Sequence, residues 1–208
     1  MFAMTRRSLA WFKAGTVICC LLPLSILLLR GAGFGNLGAN PVQEVLHALG
    51  TTTLNLLLIT LAVTPARKLT GLNWLLRVRR TLGLFAFAYA TLHALTYVAV
   101  DQRLDWGGLI VDVTERPYVT AGFLALVLMV PLAITSTNAM QRRLGRRWVG
   151  LHRSVYLVAA LGVLHYFWQV KLDTSGPSVY ALILAVLLGY RLVAWAGRRR
   201  RRAVLNRP

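Results

Sequence analysis

Six apolar stretches, each long enough to cross a bilayer, take up more than half of this 208-residue chain. They run about Leu9–Leu29, Val45–Val63, Leu82–Val100, Tyr118–Thr135, Val149–Val170 and Val179–Ala196. A spanning helix needs about 20 mostly apolar residues. Hydrocarbon offers no water to the backbone, so each stretch must close its own hydrogen bonds as a helix. The expected fold is all-α, an integral membrane bundle of six transmembrane helices forming a single domain over residues 1–208. The short loops that remain leave no room for a soluble catalytic domain, so any chemistry falls inside the bundle or at its faces. Arg6 and Arg7 followed by an apolar run to Leu29 resemble a signal peptide, but the run is too long for one and reads as a retained first span. Pro41, Pro65, Pro117 and Pro177 are expected at or near helix edges, and Pro23 and Pro131 inside spans.

The charges decide the orientation. The formal net charge is +18, from 24 Lys and Arg against 6 Asp and Glu. In a soluble protein such a balance points to nucleic acid; here the cations sit in short runs between apolar stretches, and no nucleic-acid role is expected. Arg6, Arg7 and Lys13 lie in the N-terminal region. Arg67, Lys68, Arg77, Arg79 and Arg80 fill the second loop, Arg142, Arg143, Arg146 and Arg147 the fourth, and Arg198 to Arg202 the tail. The alternate loops hold only Arg30, Arg103, Arg116 and Lys171, together with every acidic residue: Glu44, Asp101, Asp105, Asp112, Glu115 and Asp173. By the positive-inside rule both termini are expected to be cytoplasmic, in an inner membrane. Cys19 and Cys20 are adjacent within a span, with neither metal-ligand nor redox spacing.

Ionisable groups inside a span are expensive and default to functional hypotheses. His93 on the third span and His165 on the fifth lie on parallel helices, a few residues before their outer ends. Two neutral imidazoles at one depth on neighbouring helices are what a bis-His haem needs. His152 stands 13 residues before His165, about 20 Å lower on an ideal helix, near the inner face. Height therefore suggests a second site, but 13 residues at about 100° each turn the two side chains roughly 140° apart. A bend, placed at Gly162, or use of different sides of the helix would be needed. On the third helix the matching inner position is Arg79, which could pair with a haem propionate or a flavin phosphate, or simply anchor the inner end. His47, beside Glu44 at the outer face, reads as a solvated or capping residue. A haem-based electron carrier, a transporter relaying protons through its histidines, and a haem-free scaffold all stay open on these residues.

The segments around the histidines carry a resemblance: RRTLGLFAFAYATLHALTYV (79–98), RPYVTAGF (116–123), LAITSTNAMQRRLGRRWVGLHRSVYLVAALGVLHYFWQVK (132–171) and NPVQEVLHALG (40–50). Over nearly its whole length the chain resembles the MsrQ (YedZ) family, haem-binding membrane subunits of the bacterial methionine sulfoxide reductase system in the ferric-reductase-like transmembrane superfamily. The resemblance implies a bacterial cell, one or two b-type haems, FMN, electron entry from quinones or a cytoplasmic flavin donor, and delivery to a periplasmic molybdopterin catalytic subunit, MsrP, that repairs oxidised methionines. It implies an electron-transfer subunit of an oxidoreductase complex, distinct from the catalytic subunit. The family histidines fall on His93, His152 and His165, the candidate ligands of haem iron. Related NADPH oxidases and ferric reductases carry two histidines on each of two helices; Arg79 stands where one of the four would be, so it joins the cofactor-binding set without being a ligand.

Overall fold

The apolar stretches fold as helices, and in a computed structural model describing residues 6–170 and 172–205 no strand occurs among the described residues. Lys171 lies outside the described residues, as do the side chains of Arg6, Arg198 and Arg200 to Arg202. The helices are α1 (Arg6–Gly31), α2 (Pro41–Thr70), α3 (Leu76–Thr96), α4 (Trp106–Glu115), α5 (Pro117–Ile134), α6 (Asn138–Leu144), α7 (Arg146–His152), α8 (Val155–Gln169) and α9 (Ser175–Leu205). A π-helical turn, Tyr97–Asp101, prolongs α3. Five helical segments are long and apolar enough to cross a membrane. The stretch expected as the fifth span is divided, and its main part, α8, has 15 residues.

That division has a local cause. Around Arg153 and Ser154 the backbone bonds run three residues back, from Arg153 N–H to Gly150 O and from Ser154 N–H to Leu151 O. The Ser154 hydroxyl also donates to Leu151 O at 2.8 Å. Such turns advance about 120° per residue instead of 100°. They re-aim His152 relative to α8, and the change of direction sits here, not at Gly162. Pro65 also departs from expectation: α2 carries it as a buried interior residue and continues to Thr70. The ends of α2 follow standard rules, with Asn40 accepting from Gln43 N–H, Pro41 in the first turn, and Gly71 closing the helix at φ 73°.

Packing is concentrated in two antiparallel pairs, α2 with α3 and α5 with α8, joined mainly along α3 and α5. Leu61, Ala86, Val158 and Ala159 fill the seam between them. Outward positions such as Ile18, Leu28, Phe123, Leu182 and Val186 are apolar and exposed, as lipid-facing residues must be. Contacts across the bundle put the basic loops at one end. Arg80 donates to Asn138 at 2.8 Å, and Phe12 meets the Trp74 ring with centroids 4.3 Å apart. Gln169 and His47 meet at the other end at 3.2 Å.

Helix α1 is tied down by one buried side chain. The Tyr89 hydroxyl donates to Cys20 O at 2.7 Å and accepts from Leu24 N–H at 3.0 Å. An undisturbed helix joins those two groups directly; Tyr89 inserts between them one residue from Pro23, where the ladder has already lost a donor. Tyr89→Phe removes both bonds from a buried position and is expected to destabilise the fold by about 1–3 kcal/mol. A lower thermal midpoint with an unchanged absorption spectrum would check this; an unchanged midpoint would show that α1 closes its own bond at no loss.

Candidate functional site

The four helices of the two pairs converge on His93 and His165. The imidazole of His93 projects from α3 and that of His165 from α8, with ring centroids 6.0 Å apart and planes at 84°. Each ring is tied through its Nδ1 to the backbone of a neighbouring helix. His93 Nδ1 is 2.9 Å from Leu46 O on α2, and His165 Nδ1 is 2.7 Å from Tyr118 O on α5. A carbonyl can only accept, so Nδ1 carries the proton in both rings and Nε2 presents a lone pair. This is the outer-shell arrangement that orients a metal-ligating histidine. Two metal–nitrogen bonds of about 2 Å, with a ring radius of about 1 Å at either end, put collinear imidazole centroids about 6 Å apart. The residues therefore fit a group held through one metal atom between two imidazoles.

Both ties use one device. Leu46 precedes Gly50 by one helical turn and Tyr118 precedes Gly122 by one turn, so each accepting carbonyl is also the regular partner of a glycine N–H. Each carbonyl lies 47 residues before its histidine. A Cβ at Gly50 would lie 3.3 Å from His93 Cε1, and a Cβ at Gly122 only 2.8 Å from His165 Nδ1. The absent side chains let each ring lie against the neighbouring helix. No internal repeat is expected from the sequence, yet this geometry is built twice. The equal spacing of Gly50 to His93 and Gly122 to His165 was the available signal.

The structure does not bring His152 to this pair. Its ring stacks on Trp148, with centroids 3.9 Å apart and planes at 26°. Its Nε2 is 3.1 Å from Thr135 Oγ1. That hydroxyl spends its hydrogen on Pro131 O at 2.6 Å, so His152 Nε2–H donates and Nδ1 is left as the free acceptor. Trp148 Nε1 donates to Thr135 O at 2.9 Å, fixing the stack. Arg79 lies half-buried on α3, within electrostatic reach of His152, Arg191 and Tyr156. Arg191, within the last apolar stretch, is not among the candidates that the sequence singles out. A lone arginine within LLGYRLVAW was the signal. The outer end holds a further buried group, Asp112, which accepts from the Tyr97 hydroxyl and from Gln102 Nε2 and pairs with Arg116 Nε at 3.0 Å.

Residues 46–163 match the family described as the ferric reductase like transmembrane component, a segment that contains Leu46, Gly50, His93, Gly122 and His152 and stops two residues short of His165. Three similar proteins carry the name protein-methionine-sulfoxide reductase heme-binding subunit MsrQ. That of Ralstonia nicotianae is 50% identical over 93% of this chain and 90% of its own length. That of Rhodospirillum rubrum is 52% identical over 90% of each, and that of Azospira oryzae 48% identical over 92% of this chain and 83% of its own. The chain belongs to the ferric-reductase-like transmembrane proteins and, within them, to the MsrQ family of multi-pass bacterial membrane proteins.

Proposed function

We propose that this chain is the haem-binding electron-transfer subunit of a protein-methionine-sulfoxide reductase system. It would take electrons at its basic, cytoplasmic end and pass them to a separate molybdopterin catalytic subunit, MsrP, at the acidic, periplasmic end. The carrying observation is the facing pair His93 and His165, 6.0 Å apart with both Nδ1 atoms tied back. When bound, a b-type haem supplies a one-electron carrier. The residues do the rest. His93 and His165 would hold the iron from two helices, with Leu46 and Tyr118 setting their tautomer and the surrounding apolar helices excluding water. We read α7 with α8 together as the fifth of six crossings of an inner membrane, which leaves both termini cytoplasmic as the loop charges predict.

At the inner end, His152 and Arg79 would serve a second redox group, FMN, a second haem or a quinone. With Nε2 bound to Thr135, His152 offers Nδ1 to that group, as a hydrogen-bond or proton acceptor or as a ligand. The test is one reductive titration of the purified protein with haem and flavin quantified. Imidazole planes near 84° should give the highly anisotropic low-spin electron paramagnetic resonance signal of perpendicular ligands. Colourless protein, or haem lacking a low-spin signal, would sink the proposal in favour of a proton relay or a scaffold.

The same orientation predicts where the acceptor docks. The loop from Asp101 to Arg116 carries both signs of charge, but its three aspartates are not equivalent. Asp105 caps α4 through Gly108 N–H and Asp112 is buried, whereas Asp101 is exposed. Asp101→Lys is therefore expected to slow reduction of the partner and flatten its salt dependence with the protein's own spectrum unchanged. Asp112→Lys should lower the thermal midpoint instead. Salt dependence indifferent to Asp101 would place docking elsewhere.

A further inference from the structure

Arg191 stands on α9 six residues before Gly197, where the apolar part of that helix ends, so its Cα lies about 9 Å inside. Its terminal nitrogens donate to the Tyr156 hydroxyl at 2.7 Å and to Leu61 O at 2.7 Å, and the guanidinium also stacks 4.8 Å from the Tyr156 ring centroid. Its Nε–H is buried and makes no hydrogen bond. From α3, the half-buried Arg79 comes within electrostatic reach of it and has no hydrogen bond or ion pair with any described residue. Among the described residues no carboxylate compensates them, since every Asp and Glu belongs to the less basic set of loops. Two permanently charged guanidiniums within electrostatic reach of each other in a poorly solvated setting are costly. Their planar forks match the oxygens of phosphate or carboxylate.

We propose that Arg79 and Arg191, the latter oriented by Tyr156 and Leu61, form a binding site for one phosphate or carboxylate group beside His152 at the inner end of the bundle. The proposal deepens the inner-site reading above and rests on it only for what carries the anion. That carrier is either the acidic edge of a redox cofactor or the headgroup of an anionic phospholipid. Tyr156 and Leu61 occupy two of the five guanidinium donors of Arg191, which leaves Nε–H and the remaining terminal hydrogens for the ligand.

The test uses the full chain, purified in mild detergent, with haem, flavin and lipid phosphorus quantified in one sample. It is followed by titration with FMN and, in zwitterionic nanodiscs, with phosphatidylglycerol. Arg191→Gln should weaken the bound anion roughly tenfold or more, the scale of one charge-assisted hydrogen bond. Arg191→Lys should weaken it less, and Arg142→Gln, an exposed inner-end arginine, not at all. If a lipid is the source, phosphorus and phosphatidylglycerol affinity fall while haem and flavin hold. If a cofactor is the source, flavin or haem occupancy falls while lipid binding holds. The low-spin signature assigned to His93 and His165 should survive in every variant, so its absence from the wild type would fail the outer-site reading and leave the phosphorus and FMN arms to judge this one. If Arg191→Gln does not fold, Tyr156→Phe decides, since it releases the guanidinium from its orienting bond and should weaken binding severalfold. Wild-type binding of lipid, flavin and haem in the folded variants overturns the proposal and leaves Arg191 a packing residue.

Discussion

His165→Ala is expected to abolish the low-spin haem spectrum of the purified protein, and His93→Ala to do the same. On the proposed reading each imidazole would supply one axial face, while His152 is engaged by Trp148 and Thr135 and His47 lies against Gln169 at the outer end, so neither stands ready as a substitute. The loss should come without collapse of the fold. When either ring is removed, Leu46 O or Tyr118 O still accepts from the glycine N–H one turn on, so no buried carbonyl is orphaned. The measurement is haem content, Soret position and thermal midpoint of each variant beside His152→Ala, which should keep the outer signature. Full haem content and an unshifted midpoint potential in both His93→Ala and His165→Ala would refute the assignment. Joint loss of the signature in His152→Ala would make His152 an alternative axial ligand.

Gly122→Ala should come close to the same loss through a single methyl group that touches no iron. Its Cβ would sit 2.8 Å from His165 Nδ1 and 3.0 Å from Cε1, well inside van der Waals contact. The ring must move or surrender its bond to Tyr118 O, and either response turns Nε2 away from the shared axis. Alanine favours the helix itself by about 1 kcal/mol over glycine, so damage to the haem cannot be blamed on a weakened α5. Gly50→Ala should be milder, since the nearest atom of His93 would lie at 3.3 Å. Gly189→Ala, with nothing within 4 Å, should be silent. The expected order is Gly122, then Gly50, then Gly189, read as haem occupancy and midpoint potential. An unchanged spectrum and potential in Gly122→Ala would show that the ring's seat tolerates displacement.

What the sequence made legible followed from depth, and what it hid depended on contacts between helices. His93 and His165 could be paired because loop charges set the direction of each span and position along the span set the height. The azimuth of His152 could not be read, because it depends on the tightened turn at Arg153 and Ser154, which an ideal helix does not contain. Gly50 and Gly122 were invisible as site residues because glycines are frequent in membrane helices, and theirs matter only for what lies on the neighbouring helix. Asp112 reads as a loop charge, yet it lies on α4 and is buried against Tyr97 and Gln102 at the π-helical turn. Arg191 does not stand out in the sequence because the apolar average of the last stretch absorbs one cation. Pro65 was assigned to an edge on propensity alone, and its burial within α2 overrode that preference.

Because each histidine is backed by its own hairpin partner, the site consists of two half-sites completed within separate hairpins, one in α2 and α3, the other in α5 and α8. A half-site can form as soon as its hairpin closes, but neither can hold the iron by both axial bonds until the hairpins meet. The tightness of capture is then a matter of effective concentration, set by how the α3–α5 seam holds one half-site against the other. A lesion in that seam could strip the protein of haem while leaving every ligand and every tie intact. Conversely, a bound haem would act as a rivet between hairpins, so loading and assembly should be judged together when any seam variant is found colourless.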